Sequence, residues 1–228
     1  MTTLLVTGGA SGIGLATARR FKAAGWSCTL VDRTFTDAAR AVGTCLEADV
    51  RDRARADAIV GEIGRVDALV TCAGISRDAM IDRLDAAAWQ DVIDVDLTGT
   101  FNYLAACSTG FKKHGGKAVL VASTLAIRAR RGLSNYAAAK AGVAGLTRAA
   151  ARDLGRHNVN VNCVAPGLVE TGLTKDVSDE IKQRLRDETC LGRVATPEDV
   201  ASVIFFLCSE DARHVTGETV RVDGGQLS

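Results

Sequence analysis

Leu4-Leu5-Val6-Thr7-Gly8-Gly9-Ala10-Ser11-Gly12-Ile13-Gly14 decides how this chain is read: a short apolar run, a glycine-rich turn, then a stretch from Leu15 to Ala24 of helical composition. That order predicts a buried strand passing through a tight turn into a helix. Glycines let the backbone turn sharply and approach a pyrophosphate, whose charge is favoured by the amides and dipole of a helix N-terminus. Further out, Thr29-Leu30-Val31, Ala68-Leu69-Val70, Ala118-Val119-Leu120-Val121-Ala122 and Val159-Asn160-Val161-Asn162-Cys163-Val164 read as strands. A crossover helix is predicted over 51–64 and only a brief one within 34–43. After the N-cap Asp85, apolar residues Trp89, Val92, Ile93, Leu97, Phe101 and Leu104 predict one long helix with a buried face that includes Trp89. Thr196-Pro197-Glu198-Asp199 starts another. Alternating strands and helices predict an α/β fold.

The chain has 228 residues, 47% hydrophobic and 24% charged, enough to bury a large core in one domain over 1–228. A net charge of +1 gives no general attraction to nucleic acid or an anionic membrane. The start, Met1 to Val6, lacks a basic region followed by an apolar one, and no apolar run approaches ~18 residues, so an unexported protein without a membrane span is expected. Cysteines at 28, 45, 72, 107, 163, 190 and 208 are scattered without a Cys-x2-Cys pair, and His114, His157 and His214 lack ligand spacing. Small buried thiols in a reducing cytoplasm, and no catalytic metal, are expected.

Tyr136 and Lys140 stand four residues apart on a helix, so phenol and amine share a face. A phenol titrating near pH ~10 needs a neighbouring positive charge before it can exchange protons at neutrality, and Lys140 can supply one. Ser123 follows the apolar run 118–122 and is expected at the carboxyl end of a strand, the edge where open α/β sheets bind ligands. Asp32, ending the second strand, can accept hydrogen bonds from an adenosine ribose and repel a 2′-phosphate, which the adjacent Arg33 would attract. Each also has a plainer reading: a packed tyrosine, a solvated lysine, a serine that ends a strand.

As Ser-x12-Tyr-x3-Lys and Thr7-Gly8-x3-Gly12-x-Gly14, these residues resemble the signatures of the short-chain dehydrogenase/reductase family. Similarity continues in order to Gly225. Asp49-Val50 is similar to the family's adenine-contacting pair, Ala73-Gly74 to the end of its Asn-Asn-Ala-Gly, and Pro166-Gly167-x3-Thr171 to the segment that meets the nicotinamide carboxamide. Two departures have chemical consequences. Thr71-Cys72 replaces the two asparagines, leaving Thr71 able to make a hydrogen bond. Asp96, in Val95-Asp96-Leu97-Thr98-Gly99, stands where the family has the asparagine that completes a catalytic tetrad.

The resemblance implies a Rossmann-type doubly wound domain, a mostly parallel seven-stranded sheet in the order 3-2-1-4-5-6-7 with helices on both faces. It implies hydride transfer between a nicotinamide dinucleotide and a secondary alcohol or ketone, with Ser123, Tyr136, Lys140 and Asp96 catalytic. Gly8, Ser11, Gly12, Ile13, Gly14, Asp32, Arg33, Asp49, Val50, Ala73, Gly74, Pro166, Gly167, Val169 and Thr171, with Tyr136 and Lys140, are the implied cofactor contacts. Asp32 favours NAD over NADP, as does Ser11, where NADP-dependent relatives often carry a basic residue. Segment 172–192, with a helix capped by Ser178, is expected to cover the substrate. A homo-oligomer, dimer or tetramer, is implied through the long helix and that of Tyr136. Arg128, Arg130 and Arg131 are either a solvated face or a site for an anionic substrate. The rivals are an NADPH-dependent 3-ketoacyl-(acyl carrier protein) reductase, with Lys112, Lys113, Arg156 and His157 meeting an acidic carrier, and a non-catalytic nucleotide-binding sensor.

Overall fold

Leu5 belongs to one core cluster and its neighbours Leu4 and Val6 to another, because successive strand side chains point to opposite faces of a sheet. A strand apolar in both directions has to be covered on both sides. The computed structural model describes residues 2–174 and 177–228, and in it seven strands do this: β1 (Thr3–Thr7), β2 (Ser27–Asp32), β3 (Thr44–Glu47), β4 (Ala68–Thr71), β5 (Gly116–Val121), β6 (Val159–Pro166) and β7 (Thr219–Val222). Met1, part of the expected unexported start, and Lys175 and Asp176, within the expected cover 172–192, lie outside the described residues.

The sheet order is β3-β2-β1-β4-β5-β6-β7, as expected, and its pairings are parallel throughout rather than mostly. Because β1 lies between β2 and β4, the winding reverses beside it, and the carboxyl edge there is the crevice where such sheets take ligands. On one face pack α1 (Gly12–Ala23) and the helix over Pro197–Cys208; on the other, α3 (Arg53–Ile63) and the helices over Gly99–His114 and Ser134–Leu154. The interval between β2 and β3 holds only one helical turn, α2 (Asp37–Arg40), capped by the Thr36 hydroxyl.

The long helix expected after Asp85 is interrupted. Asp85 caps α4 (Ala86–Val92) by accepting the Ala88 amide at 2.7 Å, a wide π-helical turn follows over Ile93–Thr98, and α5 (Gly99–His114) resumes the ordinary pitch. The extra residue in that turn breaks the apolar period. Trp89 is 39% exposed and Phe101 47% exposed, against the expected buried face, and Phe101 lies beneath the Arg53 guanidinium.

The α6 helix (Ser134–Leu154) precedes β6, whose eight residues are all buried. Asn160 and Asn162 survive there because their amides donate to the carbonyls of Arg213 and Val215. Ser178 caps α7 (Asp179–Asp187), and Thr196 with Asp199 forms a reciprocal capping box on α8 (Pro197–Cys208). The cysteines are not uniformly buried: Cys28, Cys107, Cys163 and Cys208 are, Cys45 and Cys72 are half-buried, and Cys190 is exposed.

Candidate active site

The glycine turn fits a dinucleotide pyrophosphate on steric grounds. Gly8 has φ +67°, and a Cβ on it would fall 2.6 Å from the Ala73 amide nitrogen; one on Gly14 would fall 2.1 Å from the Gly8 carbonyl oxygen. Side chains are excluded where the backbone has to be bare. Ser11 makes no side-chain cap on α1, which leaves the first-turn amides to an anion. At the end of β2, the Asp32 carboxylate accepts the Ala10 amide at 3.1 Å and the Arg33 amide at 2.8 Å.

Across the crevice, α6 places Tyr136 and Lys140 one turn apart, and Ser123 stands just beyond β5 with its hydroxyl accepting the Leu125 amide at 3.2 Å. Asn135, fully buried, starts α6: its amide donates to the Arg77 and Ala88 carbonyls and its oxygen accepts the Tyr136 amide. Lys140, 3% exposed, donates to the Val121 carbonyl at 3.1 Å and lies 5.5 Å from the centre of the Tyr136 ring. Behind it, Asp96 Oδ2 stands 3.1 Å from Lys140 Nζ, and Oδ1 accepts the Ile75 amide at 2.8 Å.

These contacts set the proton affinities. Burial raises the Tyr136 phenol above its ordinary value; Lys140 pulls it down, Asp96 pushes it up, and Ser123 lowers it again, with a net upward shift. Burial opposes the Lys140 charge, but Asp96 and Tyr136 more than restore it, so the ammonium is held more firmly than usual. Burial raises Asp96 against the pull of Lys140, whose charge compensates a carboxylate otherwise too costly to ionise there.

One cleft of about 360 Å³ is lined by Ser123, Tyr136, Lys140 and all the expected cofactor contacts, from Gly8 to Thr171. Asp96 alone of the expected site residues is not in its wall. Sequence reading missed a chain of ion pairs at the rim: Arg51 holds Asp49 at 2.6 Å and Asp91 at 3.1 Å, and Arg77 holds Asp91 at 2.9 Å. Adjacency to Asp49-Val50 was the signal for Arg51; Arg77 and Asp91 meet only through the fold.

Over residues 8–226 the chain matches the family described as Enoyl-(Acyl carrier protein) reductase. It is 36% identical to the short-chain reductase protein NovJ of Streptomyces niveus, over 97% of this chain and 92% of that one. It is 37% identical to the 3-oxoacyl-[acyl-carrier-protein] reductase FabG of Thermotoga maritima, over 97% and 96%. The chain belongs to the short-chain dehydrogenase/reductase family. Among solved structures, levodione reductase superposes with a TM-score of 0.94 at 31% identity, covering 99% of this chain and 97% of that one. The 3-oxoacyl-[acyl-carrier protein] reductase of Brucella melitensis gives 0.92 at 30%, covering 98% and 90%. As a short-chain dehydrogenase/reductase, the protein is an NAD(P)-dependent oxidoreductase acting on CH–OH and keto groups, which displaces the sensor reading. These relatives lend no support to NAD over NADP.

Within this short-chain dehydrogenase/reductase, the expected hydrogen bond of Thr71 is missing: its hydroxyl is buried without a partner among the described residues. The loop arginines do not line the cleft. Arg128 pairs with Glu188 just beyond α7, and Arg130 is half-buried near Arg184, where burial and that second guanidinium lower its proton affinity. No described helix is long and apolar enough to cross a membrane.

Proposed function

We propose that this chain interconverts a ketone and a secondary alcohol on substrates of the 3-oxoacyl class, with Tyr136 as the proton-transfer group. The convergence of Tyr136, Lys140 and Ser123 on the cleft that holds the glycine turn carries this reading. The 3-oxoacyl reductases among its relatives supply the substrate class. Gly8, Ser11, Gly12, Ile13 and Gly14 would hold the pyrophosphate, Asp32, Arg33, Asp49 and Val50 the adenosine, and Ala73, Gly74, Pro166, Gly167, Val169 and Thr171 the nicotinamide side. The bound nicotinamide supplies or accepts the hydride.

In reduction, the Tyr136 hydroxyl gives its proton to the carbonyl oxygen as the alkoxide forms, while Ser123 hydrogen-bonds the same oxygen. In oxidation, phenolate at Tyr136 takes the hydroxyl proton. Lys140 favours phenolate through its charge and would also hold the nicotinamide ribose. Asp32 argues for NAD(H) at the one point where the cofactors differ; Arg33 and the likeness to 3-ketoacyl reductases argue for NADP(H). The ratio of kcat/KM with the two cofactors decides between them, and a larger value for NADP(H) makes Arg33 the dominant group.

The same reading takes residues 1–228 as one dinucleotide-binding and catalytic unit, with 172–192 covering the substrate. Exposed Trp89 and Phe101 on α4 and α5 support a homo-oligomer, and seven free thiols support a reducing cytoplasm. The test is NADH or NADPH consumption with a short 3-oxoacyl thioester of coenzyme A against neutral cyclic diketones. Turnover of diketones alone would favour a substrate range like that named for levodione reductase.

A further inference from the structure

Asp96 is a carboxylate with 0% exposure. Its Oδ1 accepts the Ile75 amide, and its Oδ2, which has no hydrogen-bond partner among the described residues, is faced by the Lys140 ammonium at 3.1 Å. The contact is tightly enclosed: a Cβ on Gly74 would stand 3.0 Å from that oxygen and 3.4 Å from Lys140 Nζ. The π turn fixes the backbone beneath it, with the Thr100 hydroxyl donating to the Asp96 carbonyl at 2.8 Å.

We propose that Asp96 is a positioning residue that neutralises the Lys140 ammonium and biases Tyr136 toward its protonated form, so that carbonyl reduction persists into alkaline solution and alcohol oxidation begins only there. This rests on Tyr136 as the proton-transfer group. With a neutral residue at 96, the phenol–ammonium pair carries one positive charge, and ionising the phenol brings it to zero. With Asp96 ionised, the pair starts at zero and phenolate makes it negative, a change that burial opposes.

The other groups facing the cluster do not reverse this balance. Asp78, in the loop after β4, also disfavours phenolate, and Ser123 favours it only as a hydrogen-bond donor. Cys72 and Cys163 face Lys140 as neutral thiols; burial pushes Cys72 up to about 12 and Cys163 upward. Asp91, which faces Asp96, is itself held by Arg51 and Arg77. In reduction, hydride adds to the carbonyl carbon, the Tyr136 proton goes to oxygen, and the phenolate regains a proton from water; oxidation is the reverse.

The test needs no substrate. The chain has two tyrosines, and the buried Tyr103 hydroxyl has no partner among the described residues, so Tyr103→Phe is mild and leaves Tyr136 as the sole tyrosinate signal in an alkaline absorbance titration. The expected wild-type midpoint lies above the ordinary ~10, and Asp96→Asn and Asp96→Ser each lower it by on the order of one pH unit. The acid limb of kcat/KM for oxidation and the alkaline limb for reduction move down with it. A wild-type midpoint below ~10, or no downward shift in folded neutral variants, overturns the proposal. If the midpoint shifts but no variant turns over a 3-oxobutanoyl thioester or its alcohol, the substrate reading fails and the role of Asp96 stands.

Discussion

The Ala10 amide donates to the Asp32 carboxylate at 3.1 Å, fastening the glycine turn to the end of β2. A carboxylate is thereby held at the end of the cleft proposed to take the adenosine, with Arg33 exposed beside it. Asp32→Ala should change the kcat/KM ratio in favour of NADP(H) by roughly tenfold or more, since close like charges cost several kcal/mol. An unchanged ratio would show that the ribose end does not meet Asp32.

Tyr136→Phe keeps the ring and removes the transferable proton. Turnover should fall by ~10² to 10⁴-fold while NAD(P)H binding, followed by its fluorescence, stays within a few-fold. Near-normal kcat would remove Tyr136 from the chemistry.

For Gly14→Ala, the added methyl meets backbone, the Gly8 carbonyl oxygen at 2.1 Å, and cannot be relieved by a side-chain rotation. Overpacking of this kind costs ~1 to 3 kcal/mol, seen as a lower melting temperature together with weaker cofactor binding. Loss of stability with unaltered cofactor affinity would argue that the turn is only structural.

The Arg128–Glu188 pair joins the loop after Ser123 to the end of α7, but Arg128 is largely in solvent. A double-mutant cycle on thermal unfolding should give a coupling below ~1 kcal/mol, shrinking with salt. A markedly larger value would mean that this pair, and not packing, fixes the position of α7.

Among the thiols, Cys190 should react first with a bulky disulfide reagent, and Cys28, Cys107, Cys163 and Cys208 only on unfolding. Counting labelled sites by mass spectrometry checks the order.

The fold was legible because its signals are local and redundant: apolar runs, the Gly8-Gly12-Gly14 turn, and caps at Asp85, Ser178 and Thr196. Of the site, Ser123, Tyr136 and Lys140 were legible by spacing. The remainder depends on contacts between distant segments. Nothing local shows that Arg128 finds Glu188, that Asp91 bridges Arg51 and Arg77, or that Thr71 is left without a partner. Phe101 misleads because the helical period changes over Ile93–Thr98, where the helix widens, and Trp89, on α4 before that turn, is exposed although Val92 three residues later is buried.

That widened turn makes the chain unequally tolerant of changes in its own length. At Gly25 or Gly64, where an added Cβ would meet nothing within 4 Å, an inserted residue can bulge into solvent. Removing one residue from Ile93–Thr98 would restore ordinary pitch and leave the 16-residue α5 nearly in phase with α4, because the wide turn already holds one residue more than an α turn, whereas a residue removed within α5 would rotate all that follows by about 100°. Gly99 would keep its place against Val50, where its missing side chain lets the helix settle. A deletion in the wide turn is absorbed where it falls, whereas the same deletion in the regular helix beyond it is felt to the end of α5.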